Sequence, residues 1–154
     1  MTEREIDFHD PKLTAAQVRA ALRLGPHPEG GWFRETWRDV PRESGKRGAA
    51  TAIFFLLGAG EESAWHRVDA AEIWLFHAGA PLELRIAEAG VARTLQLGAS
   101  LAGSLQAVVP ALAWQAARST GAWSLVSCVV APAFEFSGFE LASEADPPYA
   151  IPGG

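Results

Sequence analysis

The sequence predicts an all-β sandwich or barrel with one short helix at its N-terminal end. Three observations lead there. Strand-length segments recur every eight to twelve residues, with Gly and Pro between them. A single helix signature precedes them. The chain has 154 residues, 49% hydrophobic and 20% charged. That is enough for one packed domain and too little for two full ones.

The helix is read from its caps. Thr14 and Gln17 form the T-x-x-Q pattern of a capping box, and Leu13 and Val18 are spaced as a hydrophobic staple. Val18, Ala21 and Leu22 make a one-sided apolar stripe, and Gly25 and Pro26 end the helix. Beyond it the period becomes two. Gly31 to Arg38 places Trp32, Arg34, Thr36 and Arg38 on one face and Phe33, Glu35 and Trp37 on the other. Thr51 to Leu57 is continuously apolar, as in a strand covered on both sides. Glu72 to His77 is a further strand. Leu82, Leu84 and Ile86 alternate with Glu83 and Arg85, the plainest half-buried strand of the chain. Glu88-Ala89-Gly90 turns the chain into Val91 to Leu97. Leu105 to Val109, Trp114 to Ala117 and Trp123 to Val130 complete the set. The reading is one domain over residues 1–154, with a core from 13 to 141 and a Pro- and Gly-rich tail from 142 to 154.

Composition narrows the partners. The net charge is −5 and no basic run is present, which argues against nucleic acid. The longest apolar stretch, Ala49 to Gly60, is too short to cross a bilayer. Met1 to Pro11 is polar and charged, unlike a signal peptide. The lone cysteine, Cys128, makes no internal disulfide and reads as a buried small hydrophobe. A reducing, cytoplasmic setting is the expectation. Because Thr51 to Leu57 is apolar on both faces, its outer face needs cover from the helix or from a second copy, so a homodimer is expected.

Three clusters carry the candidate chemistry. In Pro28 to Arg38 two glycines allow close backbone approach, and the strand after them sets Trp32, Phe33 and Trp37 beside Arg34 and Glu35. Aromatic rings with one fixed cation suit a small ring or anion. In the second cluster His66 and Glu72 stand on what read as adjacent antiparallel strands, with Trp74 beyond. Such a pair serves as two metal ligands or as a general base and its orienter. In the third, Gln115 is a polar residue among apolar ones and must be hydrogen-bonded. His77, five residues after Glu72, points to the opposite face unless a bulge intervenes, and His27 can rim the mouth.

His27 to Arg38, Trp65-His66-Arg67, Glu72-Ile73-Trp74, Gly79 to Leu84, Gln106 to Pro110 and Val130 to Phe136 stand in the order found in the small stand-alone cupins called cupin type 5, a domain of unknown function. The chain resembles that family from about Leu13 to Leu141. The resemblance implies a cupin double-stranded β-helix, a jelly-roll barrel, usually a homodimer. The family is similar to the dTDP-sugar 3,5-epimerases. By that likeness Gly31 to Glu35 resembles the segment that feeds the nucleotide site, and His66 the catalytic base. Gln115 stands where cupins usually place a further metal-binding His, so the usual set of three His and one Glu is incomplete.

The function expected is small-molecule binding, with isomerisation or epimerisation of a sugar or sugar-nucleotide. His66 and Glu72 are the catalytic candidates. Trp32, Arg34, Glu35, Trp74 and Gln115 are the ligand-binding ones, with Arg34 holding a substrate anion. The alternatives are a non-catalytic module for an aromatic or nucleotide-like ligand, and a metal-dependent cupin with a divalent metal on His66, Glu72 and Gln115.

Overall fold

The computed structural model describes residues 5–101 and 103–143. The helix α1 (Ala15–Leu22) begins as expected. Thr14 Oγ1 accepts the Gln17 N–H at 3.2 Å, and the Gln17 side chain accepts the Thr14 N–H at 2.9 Å. It ends earlier than Gly25, at Arg23, which adopts a left-handed conformation with φ 55°. Eleven strands follow among the described residues: β1 (Gly25–Pro26), β2 (Trp32–Arg38), β3 (Thr51–Gly58), β4 (Glu62–Val68), β5 (Ala71–Gly79), β6 (Leu82–Glu88), β7 (Val91–Leu97), β8 (Gln106–Val109), β9 (Trp114–Ser119), β10 (Trp123–Ala131) and β11 (Phe139–Leu141). From residue 144 on, the tail lies outside the described residues.

The strands form two antiparallel sheets, in the orders β1-β2-β3-β10-β5-β8 and β11-β4-β9-β6-β7. The pairing is nested: β3 with β10, β4 with β9, β5 with β8 and β6 with β7. A long hairpin folded over on itself produces that nesting, and the result is the jelly roll. Its inner faces meet in a core that includes Phe55, Leu57, Trp74, Leu82, Leu84, Ile86 and Val126. Leu82, Leu84 and Ile86 point inward while Glu83 and Arg85 stay partly exposed, as the alternation requires.

The helix covers part of the outer face of the first sheet. Val18 packs with Leu56, Ala78, Trp123 and Leu125, and Trp32 and Phe54 border them. The Trp123 indole N–H donates to the Leu13 carbonyl at 2.8 Å, tying the segment before the helix to β10. The two apolar faces of β3 are therefore one against the barrel core and one against the helix.

The bounds of β4 were not legible in the sequence, and the strand that carries His66 does not lie beside that of Glu72. It pairs with β9 and β11, across the barrel from β5. His66 and Glu72 are consequently not on adjacent strands. They face each other from opposite sheets.

Gly79 shows how tightly the barrel closes. Its φ is +89°, and a Cβ there would lie 2.4 Å from the Trp123 carbonyl oxygen and 2.6 Å from its ring. Gly60 has φ +73° with open space around it. Gly79→Ala should therefore lower the unfolding free energy by at least about 2 kcal/mol in urea titrations, and Gly60→Ala by distinctly less. Equal losses at the two positions would show that backbone conformation, not the contact with Trp123, governs both.

Candidate functional site

One end of the barrel interior is polar. A cavity opens there, walled by His27, Glu29, His66, Glu72 and Cys128 and by the rings of Phe33, Phe55, Phe134, Phe136 and Phe139. The space open to the centre of a water molecule is about 40 Å³, room for about three waters. With the solvent-open mouth included, the empty volume is about 540 Å³.

A bulge sets His66 in place. Ser63 pairs with Ala117 and His66 with Gln115, so β4 carries one residue more than β9 between those points. The extra residue lets both Ser63 and His66 face inward, although they are three apart. It also turns the Ala64 carbonyl onto the ring: His66 Nδ1 donates to it at 2.7 Å. The other ring nitrogen, Nε2, lies 3.0 Å from Glu29 Oε2. Glu29 also accepts from the Ser63 hydroxyl at 3.3 Å.

Glu29 is the functional-site residue that sequence reasoning passed over. It sits in the loop before β2, where no period marks it. The signal beside it was the pair Gly30-Gly31. Gly30 has φ +103°, and a Cβ there would come within 2.4 Å of the Glu62 carbonyl oxygen. Only glycine lets the loop press this closely on β4. That approach also pairs the Ala64 N–H with the Glu29 carbonyl at 2.7 Å.

The charges follow from the contacts. Burial alone would lower the His66 pKa. The charge and hydrogen bond of Glu29, with help from Glu72 and the Ala64 carbonyl, outweigh burial and raise it to about 9. Burial opposes ionisation of Glu29, but the charge and hydrogen bond of His66 hold its carboxyl below the usual range. The pair is therefore imidazolium and carboxylate at neutral pH. His27 behaves otherwise. Its Nδ1 accepts the Glu29 N–H at 3.1 Å, and burial lowers its pKa, so it is neutral.

Glu72 stands across the cavity from this pair. Burial raises its pKa to about 6, with the Glu29 charge adding and the His66 charge subtracting. One of its oxygens accepts the Gln115 amide N–H at 2.9 Å. The Gln115 oxygen in turn accepts the Trp74 indole N–H at 2.9 Å. Trp74 and Gln115 are 1% exposed and sit behind Glu72, in the core and not on the cavity wall. The Cys128 thiol lines the cavity and hydrogen-bonds Glu72; burial pushes its pKa well up, so it is a neutral thiol.

The remaining expectations divide by strand face. Glu35 lines the cavity beside Phe33. Trp32 and Arg34 point away from it, toward α1. Trp32 lies under the Arg19 guanidinium, 4.2 Å away, and Arg34 Nε donates to the Leu22 carbonyl at 2.7 Å. The alternation grouped these residues correctly, but the inward face is the one with Phe33 and Glu35. A bulge between Glu35 and Trp37 then breaks the alternation and leaves Trp37 exposed. His77 lies outside the cavity, hydrogen-bonded to Ser127, although a bulge does occur there.

The donor set does not fit a divalent metal on His66, Glu72 and Gln115. His66 has both ring nitrogens committed to Ala64 and Glu29, and the Gln115 oxygen is committed to Trp74. Among the described residues, no cluster of three or more His, Cys, Asp or Glu is placed to hold a metal ion.

Residues 16–142 match the family described as Cupin superfamily (DUF985). A protein from Shewanella oneidensis is 34% identical with a TM-score of 0.82, over 86% of this chain and 87% of that one. A hypothetical protein from Leishmania major is 33% identical with a TM-score of 0.78, over 86% of this chain and 89% of that one. Oxalate decarboxylase from Bacillus subtilis shares the fold at 13% identity and a TM-score of 0.59, over 75% of this chain and 29% of that one. No curated protein matches the chain.

The buried pair makes stability depend on pH. A histidine with a raised pKa contributes fully below its unfolded value near 6.5, and that contribution is lost as pH rises through about 9. Thermal unfolding followed from pH 7 to 10 should show Tm falling with pH. In Glu29→Gln the fall should be shallower, since the main cause of the raised value is removed and chiefly the buried Cys128 thiol is left to lower stability at the alkaline end. An equally steep fall in the variant would place the pH dependence elsewhere.

Proposed function

The chain belongs to the cupin superfamily family DUF985, and from that premise we propose that it binds a small molecule in the barrel and moves a proton on it. The observation that carries this reading is the pair of groups in one buried cavity whose environments separate their pKa values. Glu72 is at about 6, ionised and basic at neutral pH, and His66 is at about 9, cationic.

The reaction this arrangement suits is proton abstraction beside a carbonyl. Glu72 takes the proton: the C–H bond breaks and an O–H bond forms. The electron pair moves onto the carbonyl oxygen, where His66 stabilises the charge by turning its Nε2 N–H from Glu29 to the new oxyanion. Return of a proton to the same carbon from the other face completes epimerisation; return to the neighbouring carbon, while the hydroxyl proton of the first carbon passes to the former carbonyl oxygen, completes isomerisation. The resemblance to the dTDP-sugar 3,5-epimerases points to the same reaction class, with the roles divided differently. There the histidine is the base. Here Glu29 keeps it charged, and the base is the carboxylate.

The enclosed room takes only the reacting end of a small sugar, with the rest in the mouth, and disfavours a sugar-nucleotide. Arg34, the residue expected to hold a substrate anion, is outside the cavity. A binding role without turnover draws on a different observation, the five phenylalanines of the wall. The two readings separate in solvent exchange.

In D2O, with a panel of small aldoses, ketoses and hydroxyketones followed by NMR, the protein should exchange the hydrogen beside the carbonyl. The rate should rise through pH about 6 and fall through about 9. Glu72→Gln should slow it by roughly 100-fold or more. Bound ligand with no exchange above background would leave the binding module as the answer.

Self-association has its own support. Beyond the cover of α1, the outer face of the first sheet carries Ile73, Leu75 and Val129, half-buried, and Val108, 53% exposed. A two-fold dimer would bury them. Light scattering at micromolar concentration should give twice the 16.4 kDa of one chain, and a monomer would remove this reading.

A further inference from the structure

Negative charge in the cavity exceeds positive charge. Glu29 is matched by His66. Glu35, at the mouth, is matched by Arg38, which donates to both its oxygens at 2.8 and 2.9 Å. Glu72 has no cation of its own. Its neighbours are the Gln115 amide, the Cys128 thiol and a His66 already paired. Among the described residues, no Arg or Lys lines the cavity. The arginines nearest its wall are occupied outside it: Arg34 by the Leu22 carbonyl, Arg38 by Phe134 and Glu35, Arg47 by Ala133 and Asp69.

The apolar part of the wall is aromatic. Phe134 and Phe136, from the β10–β11 connection, and Phe139, at the start of β11, stand edge to face with centroids 5.0 to 6.1 Å apart, and Phe33 and Phe55 line the cavity from β2 and β3. Aromatic rings around a desolvated carboxylate with no cationic partner are complementary to one kind of ligand charge. We propose that the cavity takes a small organic cation, an ammonium group on a short apolar chain, seated among the phenylalanines with Glu72 as its counter-charge.

An anion would meet Glu72 and Glu29 with no free guanidinium or ammonium to receive it. A neutral molecule would leave the Glu72 charge without a counter-ion and so bind more weakly than a cation of the same size. The inference rests on the cavity being the ligand site, as proposed above, and does not require turnover.

Calorimetric titration of the full chain at pH 7.5 with n-butylammonium, tetramethylammonium, n-butanol, butyrate and inorganic phosphate tests it. At least one of the two ammonium ions should bind 10-fold or more tighter than n-butanol, and the two anions should not bind. Between pH 7.5 and 5 the ammonium affinity should fall. Over that range His66 stays cationic, Glu29 anionic and Cys128 neutral, whereas Glu72 and His27 can change; Glu35, at the mouth, faces the cavity paired with Arg38. Glu72→Gln separates them. It should weaken ammonium binding 10-fold or more at pH 7.5 and leave only the His27 part of the pH dependence. Should that variant fail to fold, the ligand series and the pH series on the wild-type chain still decide. Binding of butyrate or phosphate as tight as that of the ammonium ions, equal binding of n-butanol, no binding of any probe, or unchanged affinity in folded Glu72→Gln overturns the inference. Ammonium binding without solvent exchange supports it while removing the catalytic reading.

Discussion

The ion pair of His66 and Glu29 is the constraint around which the polar end of the barrel is organised. Two charges removed from water cost several kcal/mol each, and only close contact with full hydrogen bonding offsets that. The structure meets both conditions from two directions. The β4 bulge aims the Ala64 carbonyl at Nδ1, and the glycine-bearing loop before β2 carries Glu29 to Nε2. Neither device is part of a regular jelly roll. Each departs from regular geometry where the pair requires it.

From that pair the character of Glu72 follows. His66 can neutralise one carboxylate at contact distance, and it neutralises Glu29. Glu72 receives the amide of Gln115 and the thiol of Cys128, which orient it without cancelling its charge. The chain from Trp74 through Gln115 to Glu72 also marks the boundary between core and cavity. Behind it the interior is apolar and closed, and in front of it the wall is ionisable. Nested pairing makes the meeting possible, because it sends β4 and β5 into opposite sheets that face one another.

Local signals were legible in the sequence and relational ones were not. The capping box at Thr14 and Gln17 and the alternation of Leu82, Leu84 and Ile86 each depend on neighbours in the chain, so they could be read directly. The faces of β2 were also legible, since Phe33 and Glu35 must share one. Which face turned inward was not, because that depends on the helix lying over Trp32 and Arg34. The bounds of β4 were not legible because its bulge breaks the period of two. Glu29 lies on no strand, and its partner is 37 residues further on. Its one local trace was the demand for glycine at the next two positions.

Residue type alone would assign the chemistry the other way round. A free histidine titrates near 6.5 and is the natural base at neutral pH, whereas a free glutamate near 4.3 is a weak one. Burial acts on both in the direction that opposes charge, so by itself it would make His66 a poorer base and Glu72 a better one. The partner then decides. Glu29 sits at contact distance from His66 and reverses the effect of burial there, while among the described residues nothing of opposite charge sits at contact distance from Glu72. The histidine is held as the cation and the glutamate takes the role of base in the reaction proposed, an outcome set by Glu29, which lies outside both residues' own strands.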